Sequence, residues 1–183
     1  MEVKPSQEMK YNFIFILDNS GSMHTHHHPD QKKCYEIALD TIKYAHSIVN
    51  EMKFIGFGIR AKIWDNYIPD VIELNKNNCF IFTNLNRMTE CLNNHLSQTE
   101  NPCFIILLTD GRGRVDDTNI NIMRNHLHRT NSRLNVVQFT DKVDTGVLEK
   151  YYSYYGNLYK IENEDQIKSV IDTILHDALS KQD

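Results

Sequence analysis

Apolar and polar residues alternate along the chain in two rhythms, one suited to strands and the other to helices. Residues Asn12–Asp18 hold Phe13, Ile14, Phe15, Ile16 and Leu17 in succession, apolar on both faces, which predicts a fully buried strand. A polar loop follows. Then Cys34, Ile37, Ala38, Ile42, Ala45, Ile48 and Val49 return to one face every three or four positions, which predicts a helix lying on a sheet. Residues 52–59 and 61–64 read as two short strands separated only by the region of Arg60, so a tight hairpin and an antiparallel edge strand are expected.

Leu85, Met88, Leu92 and Leu96 mark the next helix, which must end before Asn101-Pro102, and Cys103–Thr109 repeats the buried-strand pattern. Met123 and Leu127 suggest a helix, 134–140 a strand, 147–155 a short helix stopped by Gly156, and 158–161 a last strand. Ile167, Val170, Ile171, Ile174, Leu175 and Ala178 form the clearest helical stripe of the chain. Strands alternating with helices predict an α/β fold. The expected architecture is a doubly wound, mainly parallel sheet with one short antiparallel edge strand and helices on both faces, Rossmann-like in plan.

Composition narrows the function classes. With 183 residues the chain is expected to form one domain over 1–183, with its core at about 12–179. Hydrophobic residues at 40% and charged residues at 24% fit an ordinary globular protein, and a net charge of -4 disfavours nucleic acid as partner. The apolar runs are far shorter than the roughly 20 residues that cross a bilayer. No apolar signal core opens the chain, so a cytoplasmic location is expected, although an excised extracellular domain would look the same. Cys34, Cys79, Cys91 and Cys103 lack paired spacing and read as reduced thiols, at least two of them in the core.

In open α/β sheets, ligands bind where loops leave the carboxyl ends of parallel strands. The two most apolar strands are followed there by Asp18-Asn19-Ser20-Gly21-Ser22-Met23 and by Thr109-Asp110-Gly111. A buried aspartate is costly unless paired, and two on neighbouring strands also repel. A cation relieves both costs. Ser20 and Ser22, with a permissive Gly21 between them, can turn their hydroxyls to one point, and an all-oxygen donor set suits a hard ion such as Mg²⁺, with Mn²⁺ or Ca²⁺ as alternatives.

Asp18-x-Ser20-x-Ser22 after an apolar strand, Thr83-Asn84-Leu85 opening a later helix, and Leu107-Leu108-Thr109-Asp110-Gly111 after another strand together resemble the metal-ion-dependent adhesion site of von Willebrand factor type A (vWA) domains. Residues 148–159, an aromatic-rich helix, a glycine and a short strand before a final helix, are similar to the last third of that family. The resemblance implies that Ser20, Ser22 and Thr83 touch the metal, while Asp18 and Asp110 hold it largely through water and by orienting hydroxyls. Thr89 is the competing threonine; Thr83 is preferred because it opens the helix, whereas Thr89 lies within it.

An ion held mainly by neutral hydroxyls keeps charge to spare for an incoming carboxylate. The expected activity is therefore binding rather than turnover, with a partner protein offering Asp or Glu, and the resemblance implies a place in a multiprotein complex. Oligomeric state is left open. Asn19, Met23, His24, Asn84, Arg112 and Arg114 are candidate partner contacts around the metal. A metal-dependent hydrolase would need a general base, for which His24 or His26 are the candidates. A scaffold that binds independently of metal is the third reading. His24, His26, His27 and His28 could form an accessory metal site, against a solvated loop as the plainer reading. Of Tyr151, Tyr152, Tyr154 and Tyr155, two are expected to face the core.

Overall fold

The structure, a computed structural model, describes residues 11–26, 32–49, 51–139, 146–161 and 165–180. Its strands are β1 (Asn12–Asp18), β2 (Met52–Phe57), β3 (Ala61–Asp65), β4 (Cys103–Thr109), β5 (Arg133–Gln138) and β6 (Leu158–Lys160). They form one sheet in the order β3-β2-β1-β4-β5-β6. Every neighbouring pair is parallel except β2 with β3, which the tight hairpin makes antiparallel. The expected fold class is the observed one.

Alternation along the strands sorts the core into two layers. From β1 and β4, Phe13, Phe15, Leu17, Phe104, Ile106 and Leu108 pack on one face with α1 (Cys34–Val49) and α6 (Asp165–Ser180). Ile14, Ile16, Ile105 and Leu107 pack on the other with α3 (Leu85–Ser97), α4 (Asp117–Arg129) and α5 (Gly146–Tyr152). β1 and β4 are covered on both sides, so the continuous apolar run of each is the physical requirement of its place. Because the chain winds outward from β1 in one direction and from β4 in the other, the loops after these two strands part and leave a crevice between them.

Several boundaries differ from the sequence reading. A helix α2 (Val71–Lys76) went unpredicted, since only Leu74 of its six residues is buried and no stripe marks it. It stands on a capping bond from the Glu73 backbone N–H to Asp70 Oδ1 at 2.8 Å. Strand β2 stops at Phe57, because Gly58, Ile59 and Arg60 turn the hairpin. Thr140 lies outside the described residues.

Gly156 does not stop α5 by a left-handed conformation, which only Gly111 and Gly113 adopt among the described glycines. The helix ends at Tyr152, and Gly156 lies against β5, where an added Cβ would stand 1.7 Å from the Leu134 carbonyl oxygen. Its role is close approach. The four cysteines are free, with Cys34, Cys79 and Cys103 buried. Burial pushes the thiols of Cys79, Cys91 and Cys103 up to about 11, so they serve as small apolar groups. Among the described residues no helix is long and apolar enough to cross a membrane.

Candidate metal centre

The crevice is built on neighbouring positions of β1 and β4. Leu17 pairs with Leu108, so the next residues, Asp18 and Thr109, are neighbours whose side chains share a face. Thr109 Oγ1 donates to Asp18 Oδ2 at 2.6 Å, and the Ser20 backbone N–H donates to Asp18 Oδ1 at 2.9 Å. Asp18 is fully buried. Desolvation pushes its carboxyl up to about 7; the hydrogen bonds from Thr109 and Ser20 oppose this, and the charge of Asp110 adds to it.

After β1 the chain turns through a single 3₁₀ turn, Gly21–His24. The turn brings Ser20 Oγ and Ser22 Oγ within 3.1 Å of each other. Gly21 keeps a negative φ, so conformational freedom is not what it supplies. Instead its N–H donates to the Ile81 carbonyl at 2.8 Å, and an added Cβ would lie 3.2 Å from that oxygen. Ser20 and Ile81 also pair as an isolated parallel bridge.

That pairing draws the segment before α3 to the rim. Asn84 caps α3, accepting from the Arg87 backbone N–H at 3.1 Å, which leaves Thr83 just outside the helix. Gly113, at φ 131°, passes so close to Thr83 that an added Cβ would meet Thr83 Cγ2 at 3.1 Å. The loop after β4 thus lies against Thr83. Thr89 is occupied elsewhere: its Oγ1 donates to the Leu85 carbonyl at 2.7 Å and lies 2.9 Å from the Tyr151 hydroxyl, inside the core.

Asp110 is nearly buried, accepts a 3.3 Å bond from the Arg112 backbone N–H, and has the Arg112 Nε 3.7 Å away. Arg112 and Arg114 are exposed. Asn19 and Met23, expected as partner contacts, are fully buried and present nothing to a partner. Asn19 instead braces the loop: its Nδ2 donates to the Cys79 carbonyl at 2.7 Å and its Oδ1 meets His24 Nε2 at 2.9 Å. The His24 ring stacks on Tyr35 at 4.1 Å, and burial, helped by Lys33, lowers its basicity. His24 and Asn84 are partly buried; His27 and His28 lie outside the described residues.

Thr109 is the site residue that the sequence reading passed over. The sequence shows it only as the last residue of an apolar strand; the register of β1 with β4 is what sets it beside the strand-ending aspartate. The tyrosine expectation needs amending too. Tyr151 is buried, Tyr152 and Tyr155 are half-buried against the same core, and Tyr154 is exposed beneath the Arg124 guanidinium.

The donor set decides which ion could fit. Among the described residues no group of three or more His, Cys, Asp or Glu is placed to hold a metal. What gathers here is two carboxylates and several hydroxyls, a set of hard oxygens unsuited to zinc or copper. Adjacent oxygens of an octahedron with bonds of about 2.1 Å are about 3 Å apart. The Ser20 and Ser22 hydroxyls hydrogen-bond to each other at 3.1 Å, a separation compatible with both oxygens turning to one ion.

Comparison with solved structures identifies the fold as that of vWA domains. The chain superposes on a von Willebrand factor type A protein from Catenulispora acidiphila with a TM-score of 0.71 and 12% identity, covering 93% of this chain and 43% of that one. The vWA domain of SpRpn10 matches at 0.65 and 11% identity, covering 89% and 94% respectively. Human COPII-coat protein Sec24c matches at 0.61 and 11% identity, with 97% of this chain covered and 33% of that one. Proximal thread matrix protein 1 of the mussel byssus, at 0.65 and 15% identity, covers 92% and 46%. The chain thus spans under half the length of the Catenulispora and byssus proteins. No protein-family model and no curated protein sequence matches it.

Proposed function

We propose that this chain is a metal-dependent protein-binding module that captures an Asp or Glu side chain of a partner through a divalent cation, Mg²⁺ or its mimics Mn²⁺ and Ca²⁺. The observation that carries the reading is the buried Asp18 carboxyl, which burial and the charge of Asp110 make reluctant to ionise, at the loop that holds the Ser20 and Ser22 hydroxyls together. Ser20, Ser22 and Thr83 supply neutral oxygens; Asp18 and Asp110 supply the charge. A cation there would offset the cost of ionising Asp18 and the repulsion between the two carboxylates. Bound to this set, it would act as a Lewis acid toward an incoming carboxylate.

The residues around the site support this reading. Thr109 and the Ser20 N–H aim the Asp18 carboxylate, and Asn19 locks the β1 loop to the chain before α3. Arg112 and Arg114 add positive charge at the rim, which favours an acidic surface and raises its rate of encounter. His24 Nε2 is engaged with Asn19, so the one histidine of the 3₁₀ turn serves the scaffold. The resemblance to a coat protein and to a matrix protein accords with a role in assembly.

Thermal melts with Mg²⁺, Mn²⁺ or chelator test the reading. A ligand of the native state raises the melting temperature by mass action. The cations should stabilise the chain and Asp18→Ala should abolish most of the gain; identical melts with and without either ion would refute the metal site.

A further inference from the structure

Four non-glycine residues of the described chain have positive φ: Asn66, Asn78, Asn131 and Ile81. Asparagine tolerates this conformation, whereas a β-branched residue at φ 78° is a steric outlier held at a conformational cost. The backbone at 81 would be easier to hold with Asn or Gly. Core packing does not demand isoleucine either, since Ile81 is 48% exposed and the adjacent Phe82 69% exposed. An apolar pair is therefore held in water, at a conformational cost, on the segment that borders the candidate metal centre.

We infer that Ile81 and Phe82 are the specificity element of that face, selecting a partner segment in which the metal-seeking Asp or Glu stands beside a large apolar side chain. The inference rests on the metal reading and adds the chemistry of the partner. Position supports it: the Ile81 carbonyl is bonded to the Gly21 N–H between the two serines, and Thr83 follows two residues later. Backbone bonds also tie the segment to the hairpin. The Ile59 N–H donates to the Phe80 carbonyl at 3.1 Å and the Arg60 N–H to the Asn78 carbonyl at 2.9 Å, so the hairpin tip backs the apolar pair.

Charge complementarity sets the occupant. Exposed arginines stand on the two segments that flank the apolar pair: Arg112 and Arg114 on either side of Gly113, which approaches Thr83, and Arg60 at the hairpin tip, whose backbone N–H bonds the Asn78 carbonyl. A purely apolar partner would gain nothing from Arg114 and Arg60, and a purely acidic one would leave Phe82 in water. A protein segment with an acidic residue and a bulky apolar residue within two positions satisfies both. In an extended segment the two side chains would reach the metal and the Ile81-Phe82 pair together.

A displayed library of 12-residue peptides, each with one fixed Asp or Glu and random flanks, would be panned on the whole chain in Mg²⁺ and in chelator. The target would be wild type and an Ile81→Gly/Phe82→Ser variant, with Ile81→Asn/Phe82→Ser as a second variant that also suits the positive φ. Melts with and without Mn²⁺ would show that both variants fold and keep the metal response. The expected result is at least tenfold enrichment, in Mg²⁺ only, of Leu, Ile, Met, Phe or Trp within two positions of the acid, lost in the variants. Mg²⁺-dependent acidic peptides without that neighbour, or with it equally on the variants, would overturn the inference and leave the metal reading standing. Peptides retained equally in chelator, or no enrichment at all, would overturn the inference together with the carboxylate-capture reading, while the Mn²⁺ melts report separately on the metal site.

Discussion

Thr109 Oγ1 donates to Asp18 Oδ2 at 2.6 Å, tying the carboxyl ends of the two central strands together through one side-chain bond. Thr109 also accepts from the Gly111 N–H at 3.1 Å, so a single hydroxyl orients the carboxylate and holds the first turn of the next loop. Thr109→Val keeps the shape and leaves Asp18 Oδ2 and the Gly111 N–H unpartnered. The expected loss is about 1–3 kcal/mol of stability in urea unfolding, together with a weaker Mg²⁺ response, while Thr109→Ser should stay close to wild type.

The two threonines of α3 and its approach should separate cleanly. Thr83→Ala is expected to reduce the Mg²⁺-induced rise in melting temperature with little effect on the metal-free chain, because Thr83 is only half-buried. Thr89→Val should do the reverse, lowering metal-free stability by about 1 kcal/mol through its lost bonds to Leu85 and Tyr151 while leaving the metal-induced rise unchanged. Melting curves of both variants with and without Mg²⁺ decide the matter.

Asp18 gives the chain a pH signature. Its folded-state carboxyl is raised to about 7, so between about pH 4 and pH 7 the folded chain holds a proton that the unfolded chain has lost. The contribution of Asp18 to metal-free stability therefore falls as pH rises through this window and levels off above it. Comparing wild type with Asp18→Asn in chelator at pH 5 and pH 8 should show the difference between them move against wild type at the higher pH. A divalent cation needs the ionised carboxylate, so Mg²⁺ stabilisation should grow over the same interval.

Gly156→Ala tests the close approach of the chain to β5. A methyl group 1.7 Å from the Leu134 carbonyl oxygen cannot be accommodated without moving a strand backbone. Destabilisation of more than about 3 kcal/mol is expected, read from urea unfolding.

The layers of the fold were legible because burial on both faces leaves an unbroken apolar run, as in Phe13 to Leu17 and Cys103 to Leu108, and helices on a sheet leave a stripe. The placement of Asp18, Ser20, Ser22 and Asp110 was legible for a related reason, since polar residues following such runs stand where a doubly wound sheet opens. What escaped were features made by tertiary contact. Helix α2 buries only Leu74, Gly21 and Gly156 answer to backbones distant in sequence, and Asn19 is pulled inward by the Cys79 carbonyl. Thr109 looked like the last residue of a strand, and only its register with Asp18 reveals its work.

The two sides of the sheet bear on how copies of this chain behave when crowded. One border is β3, five residues long, carrying Lys62 and an Asp65 paired with Lys53; the other is β6, only three residues long. Short borders bearing charge are poor templates for strand addition, the route by which exposed sheets recruit one another into fibrils. Concentrated solutions should therefore resist amyloid-like growth.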